Sequence, residues 1–107
     1  MDFDEYQKLV LRTANSDLPK REAISNFAMG LAGETGEAVD AIKKHLYHGH
    51  DMNNLKEELG DVMWYVAALS SMFGIDMEEV AEANIEKLRK RYPDGFSKER
   101  SINRVER

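Results

Sequence analysis

Glu34-Thr35-Gly36-Glu37-Ala38-Val39-Asp40-Ala41-Ile42 and Glu58-Leu59-Gly60-Asp61-Val62-Met63-Trp64-Tyr65-Val66 are the two stretches on which the reading of this chain turns. Each opens on two carboxylates spaced i, i+3 and continues into apolar residues at helical spacing. On a helix that spacing sends both carboxylates of a pair from the same side. If the two helices pack as neighbours, four acidic groups converge: Glu34, Glu37, Glu58 and Asp61. Carboxylates held that close repel one another unless a cation sits among them. A donor set made only of oxygen suits a hard ion, Mg²⁺ or Mn²⁺. The competing reading is two solvated acidic faces.

Working outward, the first stretch belongs to a helix from about Lys20 to Tyr47, entered through the break Ser16-Asp17-Leu18-Pro19. Its apolar stripe is Ile24, Phe27, Leu31, Ala38, Ile42 and Leu46. At 100° per residue Glu34 falls about 80° from the centre of the stripe, and Glu37 about 140° away on the same flank. Lys44, seven residues after Glu37, lies along that flank and is a candidate substrate contact. Gly33 and Gly36 each cost about 1 kcal/mol of helix propensity relative to Ala. They point either to a close backbone approach by a helix or ligand, or to relief of packing against the first helix.

The second stretch sits on a helix over residues 52 to 73 with Asp51 as N-cap. Leu55, Leu59, Val62, Val66, Leu69 and Phe73 form its expected core stripe. Glu58 lies about 60° off that stripe and Asp61 about 120° off, the relation the first pair bears to its own stripe. No charged side chain occurs from Val62 to Ile75. Trp64 and Ala68 fall opposite the expected core face. A helix apolar all round is buried all round, and so short a chain can hardly enclose one alone. The expectation is a second subunit on the Trp64 face, in a homodimer or homotetramer. Stacking of Trp64 or Tyr65 on a ligand's ring is the alternative.

Asp2 caps a first helix running to about Asn15, with Phe3, Tyr6, Val10 and Ala14 on one face. Asp76-Met77-Glu78-Glu79 reads as a capping box for a fourth helix over 77 to 92, whose stripe is Met77, Ala81, Ile85, Leu88 and Tyr92. Beside that stripe Asn84, Lys87 and Arg91 form a row of donors that either grips phosphates or pairs with Glu82 and Glu86 at the surface. Pro93-Asp94-Gly95 is a turn, and residues 97–107 form a charged tail. His45, His48 and His50 raise the question of a transition-metal site, but with no cysteine and a loop-like setting they read more simply as titratable side chains near the site.

The helical periodicity throughout, two prolines and no alternating run predict an all-α antiparallel bundle of about four helices in one domain spanning 1–107. A formal charge of −5 argues against binding of nucleic-acid polymers. No apolar run reaches bilayer length, and Asp2, Asp4 and Glu5 stand where a signal peptide would be basic. Without cysteine there are no disulfides or thiolate metal sites, which fits a cytoplasmic setting.

Taken in order, E-x-x-E, about twenty intervening residues and E-x-x-D within Leu55-Lys56-Glu57-Glu58-Leu59-Gly60-Asp61-Val62 resemble the MazG-type nucleoside triphosphate pyrophosphohydrolases. So do Asn84-x-x-Lys87-x-x-x-Arg91-Tyr92-Pro93 and Gly95-Phe96. The resemblance runs from Phe27 to Phe96. It implies an all-α fold and Mg²⁺-dependent hydrolysis of a nucleoside triphosphate to the monophosphate and pyrophosphate. It also implies that Glu34, Glu37, Glu58 and Asp61 hold the metal while Asn84, Lys87 and Arg91 contact substrate. The chain departs from many members at Gly33, where they carry a further glutamate. Glu34, nearer the apolar seam, is the candidate general base because desolvation raises a carboxyl's pKa. A nucleotide or metal sensor without turnover, and a helical interaction protein, are the rival classes.

Overall fold

The computed structural model describes residues 1–15, 17–52 and 54–104. It holds five helices: α1 (Phe3–Leu11), α2 (Lys20–His48), α3 (Leu55–Met72), α4 (Met77–Arg91) and α5 (Lys98–Ile102). Among the described residues there is no strand, and no helix is long and apolar enough to cross a membrane. The all-α expectation holds. The fifth helix was not foreseen: its short turn in the charged tail starts where Ser97 Oγ accepts from the Arg100 amide at 3.3 Å.

Local chemistry sets the element ends. The Glu5 amide donates to Asp2 Oδ1 at 2.8 Å, the expected N-cap of α1. The helix stops at Leu11, short of Asn15, where Thr13 intervenes. Its amide and hydroxyl both reach the Val10 carbonyl, at 3.0 and 3.1 Å, in place of a continued helix. α2 ends at Gly49, whose φ of 72° makes it the left-handed cap. α3 starts at Leu55, with Asn54 at the cap position and no side-chain cap bond, so Asp51 does not cap it. The expected capping box of α4 is also absent, since Asp76 makes no side-chain cap bond. Gln7 of α1 takes over that task. Its Oε1 accepts from the Met77 amide at 3.0 Å, and its Nε2 donates to Ser71 Oγ at 3.0 Å and the Ile75 carbonyl at 2.9 Å. One buried amide thus ties α1 to the end of α3 and the start of α4 with all its principal bonds made.

The α2–α3 hairpin is the frame of the molecule, and its packing corrects part of the expected face of α3: Val66 and Leu69 of the expected stripe pack against the core, but its ends do not. Ala67 and Ala68 are fully buried, whereas Leu59 and Phe73, placed in the expected stripe, are 50% and 61% exposed. Trp64 faces inward. Its ring meets Phe27 edge-on at 5.6 Å, and its Nε1 donates to Thr13 Oγ1 at 2.9 Å. Tyr65 lies so close on Gly30 that a Cβ there would overlap its ring. Aromatic rings set against glycine and alanine allow a close approach that branched aliphatics on both helices would block. On a helix apolar all round, shape complementarity decides which face turns inward. By contrast, apart from the chain neighbours and the helix's own backbone, no atom of a described residue lies within 4 Å of a Cβ built at Gly33 or Gly36, so no other described helix approaches those glycines.

Val10, Ala23, Phe27, Ala67, Ala68 and Met77 form the buried core. It is small. The chain exposes 8183 Å², where a folded monomer of its mass exposes roughly 6,100 Å². Its radius of gyration is 16.9 Å, against about 13 Å for a compact chain of this length. Met29, Val39 and Leu46 on α2, Leu59 on α3, Phe73 just past its end, and Val80 and Ile85 on α4 are all exposed.

Candidate functional site

The hairpin brings the two sequence motifs together near its closed end. One carboxylate oxygen from each of Glu34, Glu37 and Glu58 lies within 4.8 Å of the other two. Asp61, one turn beyond Glu58, stands outside this close group, but its charge acts on both Glu34 and Glu58. Three of the four expected ligands therefore meet directly and the fourth flanks them.

This is a strained arrangement. Oε2 of Glu34 and Oε2 of Glu58 are shut off from solvent and accept no hydrogen bond. Burying an unpaired carboxylate oxygen is costly, and the group responds by holding its proton more tightly. Burial raises the pKa of Glu34 first, and the charges of Glu37 and Asp61 push it further. Burial likewise leads for Glu58, followed by Glu37. Tyr6 of α1 has its phenol raised by burial and then by Asp61, which puts α1 alongside the same acidic end. Orphaned buried oxygens in an all-oxygen donor set fit a divalent hard cation.

A cleft of ≈ 270 Å³ opens from this cluster. Glu37 and Glu58 line its acidic end, Asp40 and Lys44 its α2 wall, and His50 and Asn54 its loop side. Lys44 stands on the flank of Glu37 as expected. Its Nζ is already paired with Asp40 at 2.8 Å, and Lys43 reaches the same carboxylate at 3.5 Å. The hydrogen bond to Lys44 draws the Asp40 pKa below its ordinary value, and the same bond raises that of Lys44.

The donor row is elsewhere. Asn84, Lys87 and Arg91 lie on α4, which packs chiefly against α1, and no described residue of α4 lines this cleft. Arg91 lies over the Tyr92 ring at 5.8 Å, and Tyr92 packs on Phe96 at 5.4 Å. Among the described residues of this chain the row and the carboxylates do not line one cleft. The three histidines likewise do not form a metal group among the described residues. Instead His45 Nδ1 donates to the His50 carbonyl at 2.7 Å, and the rings of His48 and His50 meet edge-on at 6.2 Å.

Sequence reasoning passed over Asp40, Tyr6 and Asn54. A signal for Asp40 was present: it extends the Glu34–Glu37 row by another i+3 step. Tyr6 and Asn54 carried none, because their place depends on how α1 and the 49–54 loop lie on the hairpin.

The profile of the MazG nucleotide pyrophosphohydrolase domain matches residues 23–96, a segment that contains both halves of the carboxylate cluster. The chain belongs to the MazG nucleotide pyrophosphohydrolase family. It is similar to the Gene 37 protein of Mycobacterium phage L5, 34% identical over 114 residues covering 97% of this chain and 100% of that protein. It is also similar to the uncharacterized protein YvdC of Bacillus subtilis (strain 168), 36% identical over 74 residues covering 62% of this chain and 70% of that protein. No solved structure matches this MazG chain.

Proposed function

We propose that this MazG-family chain is a Mg²⁺-dependent nucleoside triphosphate pyrophosphohydrolase, with Mn²⁺ an acceptable substitute. The observation that carries the reading is the pair of buried, unpartnered oxygens on Glu34 and Glu58, in a group where Glu34, Glu37 and Glu58 each bring a carboxylate oxygen within 4.8 Å of the others. Glu34, Glu37 and Glu58 would hold the ion, with Asp61 as the fourth carboxylate. When bound, Mg²⁺ supplies positive charge that gathers the phosphate oxygens and makes an attacking water more acidic. Water adds to the α-phosphorus, the bond from that phosphorus to the α,β-bridging oxygen breaks, and pyrophosphate leaves. The water's proton passes to a carboxylate. Glu34 is the chosen base because burial and its neighbours raise its affinity for a proton toward the useful range.

The protein acts as a homodimer or homotetramer in this reading. Roughly 2,000 Å² of surface beyond that of a compact monomer is what an obligate interface would cover. Assembly also bears on the donor row: Asn84, Lys87 and Arg91 serve the substrate only if α4 of another copy carries them to this cleft. Trp64 is partly buried against the core, so the exposed Leu59 and Phe73 are the better residues to test, and their replacement by Glu should weaken assembly. A cytoplasmic setting, where nucleoside triphosphates and Mg²⁺ abound, belongs to the same reading.

The deciding experiment is pyrophosphate release from a panel of ribo- and deoxyribonucleoside triphosphates with Mg²⁺. Equimolar monophosphate and pyrophosphate are expected from at least one of them. Tight nucleotide binding with no release at high protein concentration would replace the enzyme with a sensor. Sedimentation at monomer mass at micromolar concentration would remove the oligomer.

A further inference from the structure

At its cluster end, the acidic end, the cleft carries Glu37 and Glu58; its loop end carries Lys44 and His50, the basic side chains among the described lining residues, beside Asp40 and Asp51. At 1.5 Å of rise per residue, Lys44 stands about 10 Å along α2 from Glu37. A polyphosphate anchored through a cation at the acidic end would therefore run toward Lys44 and His50. Lys44 is already matched by Asp40 at 2.8 Å, so its charge is largely offset within the protomer. Among the described residues, no carboxylate forms an ion pair with His50. An imidazole offers an N–H donor in either tautomer, which a phosphate oxygen accepts.

The backbone that carries His50 is held on both sides. Gly49 takes the left-handed cap, and the Gly49 and His50 amides both donate to the Lys44 carbonyl, the latter at 3.2 Å, closing the end of α2. The His50 carbonyl then accepts from His45 Nδ1 at 2.7 Å. A carbonyl only accepts, so the proton of that bond sits on His45 Nδ1. The loop is therefore a built feature at the cleft's rim.

We propose that His50 contacts the terminal phosphates of the substrate and that His45 is the positioning residue that holds the loop for it. The inference rests on reading the cleft as a polyphosphate site. It gives a role to two of the three histidines that the metal site leaves unused.

The test is titration of the full-length protein with inorganic tripolyphosphate in the presence of Mg²⁺, read by calorimetry, so that turnover is not required. His50→Ala should weaken tripolyphosphate binding by about tenfold or more, the loss of a hydrogen bond to a charged group. Binding of Mg²⁺ alone and the melting temperature should stay at wild-type values. His45→Phe should weaken the same binding by a smaller factor. His45→Asn should restore it, because the Asn amide nitrogen stands where Nδ1 stood. Wild-type affinity in His50→Ala would overturn the phosphate contact. Wild-type affinity in His45→Phe would overturn the positioning role. A wild-type protein that does not bind tripolyphosphate overturns both, even if it hydrolyses nucleotides. A wild-type protein that binds tripolyphosphate but releases no pyrophosphate from any nucleotide overturns the proposed hydrolysis and leaves this contact standing.

Discussion

The two halves of the α2–α3 hairpin are built on opposite terms. At its open half Phe27, Gly30, Trp64 and Tyr65 interlock over Ala67 and Ala68, and even the indole nitrogen has its acceptor in Thr13. At its closed half Glu34 and Glu58 face each other with buried oxygens that nothing satisfies. One half is complete in the chain itself. The other leaves carboxylate oxygens without hydrogen-bond partners, and the first half holds the helices in register around it. This is the usual relation of a strained site to a relaxed scaffold.

The largest effect should come from relieving the closed half. Glu58→Gln removes a charge from the cluster and should raise the metal-free melting temperature. Activity should fall by more than about a hundredfold, since even outer partners of metal ligands cost ten- to a hundredfold. In wild type, Mg²⁺ at a hundred times its dissociation constant should add about 2.7 kcal/mol of stability, and this variant should lose most of that gain. Asp61→Asn should show the same opposite movement less strongly, because Asp61 stands outside the close group. Thermal unfolding with and without Mg²⁺ checks both; an undiminished Mg²⁺ response in Glu58→Gln would remove the site as described.

The open half should respond in the reverse sense. Gly30→Ala drives a Cβ into the Tyr65 ring, which packs in one cluster with the rings of Phe27 and Trp64. Overpacking of this kind costs about 1–3 kcal/mol, less the gain of up to about 1 kcal/mol from alanine's helix propensity. Chemical denaturation should show a net loss with no change in Mg²⁺ affinity. A gain in stability would mean that the ring moves aside and that the close packing is not what orients α3.

What could be read from the chain follows the same division. The carboxylate pairs were legible because a fixed i, i+3 spacing on a helix determines their side of approach without knowledge of the partner. The inward face of α3 was legible only in part, at Val66 and Leu69. From Val62 to Ile75 every side is apolar or small, so periodicity carries no direction, and the choice of Trp64 and Ala68 over Leu59 and Phe73 depends on the shape of α2 at Phe27 and Gly30. The cap of α4 was hidden for a related reason. Gln7 supplies it from 70 residues away, and Asp76-x-x-Glu79 offered a local solution that the fold does not use. The place of Asn84, Lys87 and Arg91 could not be read either, because a donor row on a helix says nothing of which helix it meets.

Protonation offers a subtler probe of the closed half. Glu34 and Glu58 have folded pKa values raised above the ordinary 4.5. The folded state therefore binds more protons than the unfolded chain between that value and the raised one. Stability from these two groups falls as pH rises through that window, and acidification restores it. Asp40, with its lowered pKa, works in the opposite direction at lower pH. The quantity to measure is thus the difference between wild type and Glu34→Gln in metal-free melting temperature across pH 4 to 7. The variant should gain on wild type as pH rises, and saturating Mg²⁺ should reverse that gain near neutrality. A difference flat in pH would mean that the cluster is solvated.

The smallest expected effect is also the sharpest contrast with Gly30. Gly33 and Gly36 sit on the same helix, but a Cβ at either meets no atom within 4 Å from any other described helix. Judged by this chain alone, both are poor choices that alanine should improve by up to about 1 kcal/mol each. Their neighbours Glu34 and Glu37 give a reason for tolerating them: an object approaching the cluster along this flank needs a bare backbone there. Gly33→Ala should therefore raise the stability of the isolated, metal-free protomer while weakening substrate affinity or assembly. Urea unfolding, sedimentation and KM, read on one preparation, separate the cases. If stability rises and both functions are untouched, these glycines accommodate nothing, and the flank of α2 is ordinary surface. If stability does not rise at all, a neighbouring copy already covers the flank in the resting protein, and its contact there offsets the propensity that alanine would add.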